Sequence, residues 1–350
     1  MRDSTRRIHE QVVGLGRSLG FEPTREVSGT VLSLRLDDAY LPCADVLWSV
    51  RLTETQATAL AKVTQASADS LRFLPIVGIE IEGTTPTTKT MQADVANIAA
   101  LGTRLGLLIV SEAGEAGIYR RAARAVRTLR RSFGDLAVLP MEASWLDGLT
   151  ERSWSTGPCT LSTPRGRAPA GGESLAWSAS TRDYLRDLGR MAGFTVVEPY
   201  TPALLETAFD EENKRRAKPL AHLTDPMRRS SSAMKKPGDY LTACQVDLAW
   251  LLPLPKALGE FVSAIDDSDP HLREHGVVHP GMAEHVAVVG FELESSSGKH
   301  AAGGLLNLAA YCVIGVGVSP SKERGAELES IIARYRPTLG LRNVRVLVHP

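Results

Sequence analysis

The sequence lacks the features that mark secreted, zinc-bound or membrane-spanning proteins. Its four cysteines, Cys43, Cys159, Cys244 and Cys312, are scattered without a CxxC pair, which predicts reduced thiols and no zinc site. No run of 18 apolar residues is present, and the charged N-terminal segment MRDSTRRIHE has no signal-peptide apolar core. We therefore expect a soluble, cytoplasmic protein with no membrane partner.

A net charge is also absent. Lys and Arg together number 40 and Asp and Glu together number 40 in 350 residues, so overall charge does not indicate a polyanionic partner and only local clusters can. The length is sufficient for two domains that each bury a core of their own.

What the chain does contain is an internal repeat of long period. The stretch from Pro75 to Val110 has a counterpart from Val286 to Val318, and further matches keep one order along both halves. A repeat of this length indicates a duplicated domain rather than a solenoid. The matched pairs are Leu15-Gly16-Arg17 with Leu188-Gly189-Arg190, Gly20-Phe21 with Gly193-Phe194, Asp45-x-x-Trp48 with Asp247-x-x-Trp250, Glu80-x-Glu82 with Glu292-x-Glu294, Lys89 with Lys299, and Asn97 with Asn307.

The pattern of apolar residues predicts an α/β fold in which each half is a mixed sheet flanked by helices. We expect a first domain at 1–150, a Ser-, Thr-, Gly- and Pro-rich linker at 151–180, and a second domain at 181–350 with a basic insertion at about 200–238. In the first half the predicted helices are Thr5–Leu19, Thr53–Leu71, Thr87–Leu101 and Ile118–Phe133, and the predicted strands are Val27–Leu36, Asp45–Val50, Ile76–Ile81, Leu105–Val110 and Leu136–Leu139.

Carboxylates inside these apolar strands indicate the chemistry of the protein. Glu80 and Glu82 project from one face of a strand, since residues two apart share a face, and Glu292 and Glu294 do the same. With an Asp from the preceding strand, three carboxylates would converge and repel each other unless a hard cation such as Mg²⁺ or Mn²⁺ lay between them. A nearby lysine can stabilise charge on a phosphate, so the set indicates metal-assisted hydrolysis of a phosphodiester.

The order of helix, strand with Asp, strand with Glu-x-Glu, helix and strand resembles the PD-(D/E)XK nuclease superfamily, to which most type II restriction endonucleases belong. The resemblance implies two tandem restriction-endonuclease-like domains arranged as a pseudo-dimer. It implies Asp45, Glu80, Asp247 and Glu292 as Mg²⁺ (or Mn²⁺) ligands. With them, Glu82, Lys89, Glu294 and Lys299 complete the two catalytic sets.

Two departures from the family pattern stand in the sequence. No proline precedes Asp45 or Asp247, and the position that usually holds Lys is Glu in both halves. Lys89 and Lys299 would then be lysines moved to the next helix.

Structural interpretations remain open beside these functional ones. Glu82 and Glu294 suit solvated strand ends, and Lys89 and Lys299 suit helix surfaces. Family members often carry a further acidic residue on the first helix, where this chain has Glu10 and Asp183, but exposed helix charges explain both. Asn97 and Asn307 suit helix packing.

Two basic segments are candidates for binding double-stranded DNA. In the predicted helix Ile118–Phe133, Arg120, Arg124, Arg127 and Arg131 recur at helical spacing, which suits phosphate contacts. The second segment is the insertion, which contributes Lys214, Arg215, Arg216, Arg228, Arg229, Lys235 and Lys236. For both segments, the alternative is a solvated surface that binds no DNA.

These features predict a single-chain endonuclease of a restriction system that cuts both strands as a monomer or weak oligomer. A junction-resolving or repair nuclease is the alternative enzyme. A catalytically inactive DNA-binding subunit, working with a partner protein of a defence or repair system, is the alternative outside enzymes.

Overall fold

The structure is a computed structural model, and it describes most of both halves of the chain. The described residues are 3–28, 43–83, 87–101, 103, 105–110, 117–133, 137–161, 176–200, 246–268, 283–294, 298–339 and 343–350.

Two five-stranded mixed sheets with flanking helices make up the described chain. The elements of the first half are α1 (Asp3–Ser18), β1 (Glu22–Ser28), β2 (Cys43–Arg51), α2 (Glu54–Thr64), β3 (Phe73–Glu82), α3 (Thr88–Ala100), β4 (Leu105–Val110), α4 (Gly117–Phe133), β5 (Ala137–Glu142) and α5 (Trp145–Thr150). Those of the second half are α6 (Ala176–Met191), β6 (Thr195–Val197), β7 (Leu248–Pro253), α7 (Lys256–Ser268), β8 (His285–Leu293), α8 (Gly298–Tyr311), β9 (Ile314–Ser319), α9 (Lys322–Leu339) and β10 (Val344–Val348). None of the described helices is long and apolar enough to cross a bilayer.

The two sheets have the same topology. In the first, β1, β2 and β3 pair antiparallel in that order, and β4 and β5 continue parallel to β3. Strands β6 to β10 repeat this arrangement. Even an irregularity recurs, because the register shifts after Trp48 in β2 and after Trp250 in β7. The sequence repeat thus corresponds to a repeat of structure.

Helices α3 and α4 cover one face of the first sheet. Their apolar residues, including Met91, Val95 and Ile98 of α3, pack with Leu108 and Val110 of β4. The neighbouring positions of the strands, such as Val77 and Ile79, belong to the main core on the opposite face, where α1 packs. Beyond the register shift, the alternation assigns Gly78, Glu80 and Glu82 of β3 to the α3 side, and a Cβ at Gly78 would lie 3.3 Å from Ile98 of α3.

A tryptophan at the centre of each half explains several repeated residues. The Trp48 indole donates its Nε1–H to Val12 O (3.2 Å) and stacks on Phe21, with 5.9 Å between ring centroids. In the second half Trp250 donates to Leu185 O (3.1 Å) and stacks on Phe194 at 5.4 Å. The phenylalanine of each Gly-Phe pair and the tryptophan of each Asp-x-x-Trp motif therefore recur because they pack together in the core.

The repeated glycines serve the same cluster. Gly20 (φ 90°) and Gly193 (φ 85°) end α1 and α6 in the left-handed region that favours glycine. The backbone at Gly16 and Gly189 approaches the indoles closely, and a Cβ at Gly16 would lie 2.5 Å from Trp48 Nε1.

The two halves share one apolar core. Phe261 of α7 packs edge-on to Trp48 at 5.7 Å and to Trp154 at 6.2 Å, so it joins the first half to the second. The backbone of 155–159 reinforces this contact, since Ser155 N–H donates to Glu260 Oε2 (3.0 Å) and Cys159 N–H to Leu254 O (2.8 Å).

The predicted order of elements from α1 to β5 is confirmed, the structure adds the unpredicted α5, and two elements differ most in extent. The first strand covers Glu22–Ser28 rather than beginning at Val27, and its predicted continuation to Leu36 lies outside the described residues. The second helix ends at Thr64 because Gln65 adopts a left-handed cap (φ 59°), and only a short 3₁₀ turn, Asp69–Leu71, follows. The exact domain boundaries stay predictions.

We expect two glycines of α1 to respond in opposite directions to the same substitution. Gly16→Ala forces a Cβ into the Trp48 indole and should destabilise the protein by about 1–3 kcal/mol. Gly14→Ala is the matched control, since a Cβ there meets nothing within 4 Å, and it should stabilise the helix by up to about 1 kcal/mol. Urea denaturation measures both, and shifts of equal sign would contradict the packing assigned to Gly16.

Candidate functional site

The predicted carboxylates of the first half meet on the α3 side of the sheet. Val46 of β2 pairs with Ile79 of β3, so continuing the ladder by one residue brings Asp45 opposite Glu80. Glu80 and Glu82 then share the face on which α3 packs, and the carboxyl of Glu80 forms a hydrogen bond with Asp45. The prediction that Asp45 and Glu80 lie on the same side of the sheet is consistent with this geometry.

Asp45 also has a structural task. Its Oδ2 accepts a hydrogen bond from the Ile81 N–H (2.8 Å), at the point where β2 and β3 diverge. Asp247 repeats this bond in the second half, accepting from the Leu293 N–H (2.9 Å). The repeated Asp therefore replaces a ladder hydrogen bond in both halves, whatever else it does.

Helix α3 supplies two polar residues to the same place, and the sequence analysis assigned neither to the site. The side chain of Asp94 forms a hydrogen bond with Glu82, and Asn97 forms one with Glu80. The signal was present in the sequence: Asp94 lies three residues after Met91 and four before Ile98, in the apolar stripe of the helix. An acidic residue in such a stripe needs a partner.

Burial and mutual repulsion hold protons on this cluster. Burial, followed by the charges of Asp45 and Asp94, raises the pKa of Glu80 to about 9, against a lowering effect of the Asn97 hydrogen bond. Burial and the neighbouring Glu82 raise the pKa of Asp94 to about 8. The pKa of the Cys43 thiol is also raised, first by partial desolvation of the sulfur and then by the negative charges of Glu80 and Asp45.

The cluster consists of two carboxyl pairs, Asp45 with Glu80 and Glu82 with Asp94. Among the described residues, no three His, Cys, Asp or Glu side chains are arranged as a ready metal site. Glu80 is only 9% exposed, and its Oε1, like Oδ2 of Asp94, is buried without a hydrogen-bond partner in the described chain. These all-oxygen donors fit Mg²⁺ or Mn²⁺ in kind, and a cation would replace the shared protons.

The second half keeps the strand carboxylates in a different setting. Burial, then Asp247 and Glu294, raises the pKa of Glu292 well above its ordinary value, and Glu292 forms a hydrogen bond with Asp247. Asp247 pairs in addition with Arg182 of α6, whose Nη2 lies 3.4 Å from Oδ1. Glu294 is buried.

The remaining predicted site residues lie on helices. Lys89 is exposed in the first turn of α3, and Lys299 is the second residue of α8. Glu10 and Asp183 pair with arginines of their own helices, Arg6 and Arg186 respectively, and this favours the interpretation as exposed helix charges.

The basic segments are described only in part. Helix α4 packs beside α3, and Arg120 and Arg124 are exposed on it, while Arg127 and Arg131 lie further along the same helix. The seven basic residues of the insertion lie outside the described part of the chain: Lys214, Arg215, Arg216, Arg228, Arg229, Lys235 and Lys236.

No protein-family model, curated protein or solved structure matches this chain.

The raised pKa values predict how stability depends on pH. Glu80 is protonated in both the folded and unfolded states below about pH 4.5, but only in the folded state between about 4.5 and 9. The folded state then binds more protons, so stability in the absence of divalent cations falls as pH rises through this window. Asp94 acts in the same direction up to about pH 8.

Glu80→Gln should remove the largest part of this dependence. Measured in EDTA, the drop in Tm between pH 6 and pH 9 should be smaller than that of the wild-type protein by about 3 °C or more. Glu329→Gln, an exposed position on α9, is the control and should leave the drop unchanged. An identical drop in the Glu80→Gln variant would show that Glu80 titrates normally.

Proposed function

We propose that the chain is a metal-dependent DNA endonuclease built from two restriction-endonuclease-like halves. The observation that carries this proposal is the acidic cluster of Asp45, Glu80, Glu82 and Asp94, in which Oε1 of Glu80, the most buried member, has no hydrogen-bond partner among the described residues. It lies on the same face of the sheet as the arginine-bearing helix α4.

The cluster is difficult to explain as a structural feature alone. Burying a carboxyl group costs free energy unless hydrogen bonds or charges compensate, and this site buries several together. Apolar residues at these positions would avoid that cost. The tryptophan cluster and the shared core already hold the half together, so the carboxyl groups are best accounted for by a ligand that needs them.

Asp45, Glu80 and Asp94 are the residues that would hold a divalent cation. Such a cation supplies an activated water at neutral pH and neutralises charge on the phosphate. Asn97 orients the Glu80 carboxyl, and the Ile81 N–H orients that of Asp45. Glu82, bonded to Asp94 at the half-buried end of β3, is placed to take a proton from the attacking water.

The proposed reaction is hydrolysis of a phosphodiester. The water oxygen forms a bond to phosphorus, the bond from phosphorus to the bridging oxygen breaks, and the bridging oxygen takes up a proton. The exposed Lys89 amine, at the beginning of α3, is the side chain of the first half that would offset phosphate charge.

Double-stranded DNA is the proposed substrate because α4 adds cations on the face that carries the acids. Arg120 and Arg124 are exposed one turn apart along this helix. Phosphate contacts of this type position a duplex without reading its sequence.

A DNA-binding subunit without activity is the second candidate. The ion pair between Arg182 and Asp247 favours it, because the guanidinium competes with a metal ion for that carboxylate in the second half. Activity assays separate the two candidates.

Cleavage of supercoiled plasmid in Mg²⁺ tests the function directly. We expect EDTA to abolish cutting and Asp45→Asn and Glu80→Gln to slow it by on the order of 100-fold or more, because each removes an interaction worth several kcal/mol. Glu329→Gln is the matched control. Cutting confined to branched DNA would indicate a repair nuclease, and binding without any cutting would indicate the inactive subunit.

Arginine substitutions on α4 test the DNA surface. Arg120→Gln with Arg124→Gln should weaken binding to unrelated duplexes equally and reduce the slope of log affinity against log salt by roughly 2, one for each phosphate contact. Fluorescence anisotropy across a salt series measures this. Arg17→Gln, exposed on α1 over the other face of the sheet, is the control; an unchanged slope in the double variant would exclude α4 from the interface.

A further inference from the structure

The two halves do not keep the same residues around their shared carboxylates. The register of the repeat aligns Asp94 with Gly304, since each lies three residues before the matched Asn97 or Asn307. It aligns His9 with Arg182, since each lies six residues before the matched Leu15 or Leu188. The first half thus has a carboxylate where the second has a glycine, and the second half has an arginine where the first has a histidine.

Arg182 engages the carboxylate that would otherwise be a ligand. Its Nη2 lies 3.4 Å from Oδ1 of Asp247, while Oδ2 of Asp247 accepts the Leu293 N–H at 2.9 Å. Both oxygens of this Asp therefore have donors from the protein. A guanidinium beside the carboxylates also repels a second cation.

The backbone at Gly304 leaves no room for a further ligand side chain beside Glu292. A Cβ at this position of α8 would lie 3.1 Å from Cδ of Glu292 and 3.2 Å from its Oε2, so the Glu292 carboxyl rests directly against the helix backbone. A side chain equivalent to Asp94 cannot be added there unless Glu292 moves.

The first half has the opposite arrangement. Asp94 approaches the strand carboxylates from α3, and Oε1 of Glu80, a side chain that is only 9% exposed, is buried without a donor in the described chain. Asp94 Oδ2 is in the same situation. These two oxygens are available to a cation, whereas Asp247 is already satisfied.

We infer that the chain holds divalent cations in its first half only, with Asp94 as a ligand that has no counterpart in the second half, and that the Arg182 guanidinium offsets the carboxylate charge of the second site. The inference rests on the proposed function for its chemistry. Its consequence is that one bound molecule cuts one strand of a duplex, so that the second half contributes binding and orientation.

Binding of Mn²⁺ to the full chain, followed by titration calorimetry and by electron paramagnetic resonance, tests the assignment without any need for activity. We expect Asp94→Asn to weaken Mn²⁺ binding by about tenfold or more, equal to about 1.4 kcal/mol per factor of ten. Glu292→Gln, the matched substitution in the other half, should change it by less than about twofold. If Asp94→Asn does not fold, Asp94→Gly, which copies Gly304, replaces it.

The possible results separate this inference from the proposed function. Loss of Mn²⁺ binding in Glu292→Gln, two equivalent classes of bound Mn²⁺, or no binding to the wild-type protein would overturn the inference. Cutting of both strands that becomes nicking in Glu292→Gln would also overturn it, while supporting the nuclease. Mn²⁺ binding as expected without cleavage of any DNA would support the site and refute the nuclease.

Discussion

The repulsion between carboxyl groups on one buried face of a sheet is the constraint on which the rest of this protein depends. Each half places an Asp of one strand opposite a Glu of the next, and burial together with the neighbouring Asp raises the pKa of each Glu. Like charges at this separation cannot all ionise without compensation. In the first half, bound protons and the hydrogen bond from Asn97 reduce the repulsion. In the second half, the guanidinium of Arg182 pairs with Asp247.

The scaffold that positions these groups is separate from them. Trp48 and Trp250, each stacked on a phenylalanine and pressed against a helix glycine, fix the helix before the sheet to the strand that carries the Asp. The register shift directly after each tryptophan accompanies this packing. The halves have therefore retained the framework strictly, while residues on the α3 and α8 helices beside the carboxylates have diverged.

The sequence was sufficient to predict the order of elements and the duplication, because both follow from periodic apolar residues and matched motifs. It was also sufficient to bring Asp45 and Glu80 together, since alternation along paired strands determines which side chains share a face. The start of the first strand was predicted too late, because Glu22, Thr24, Arg25 and Glu26 are polar and exposed on an edge strand. The end of α2 depends on a left-handed glutamine, which no propensity would favour.

Asp94, Gly304 and Arg182 were missed for a different reason. Repeated residues mark what the two halves have in common, and these three are positions at which the halves differ. Asp94 could have been found from its place in the apolar stripe of α3, but the meaning of Gly304 depends on the Glu292 carboxyl lying against it. Arg182 could not be assigned from spacing alone, since many arginines occur on exposed helix faces.

The contact of Phe261 with Trp48 joins both halves within one covalent chain and one core. In a symmetric dimer encoded by one gene, every substitution alters both subunits at once, so an arginine beside one acidic pair would also stand beside the other. In a fused chain, a substitution in one half leaves the other half unchanged. Each copy of this duplicated domain could acquire its own neighbours, and specialisation within a single molecule became accessible to evolution.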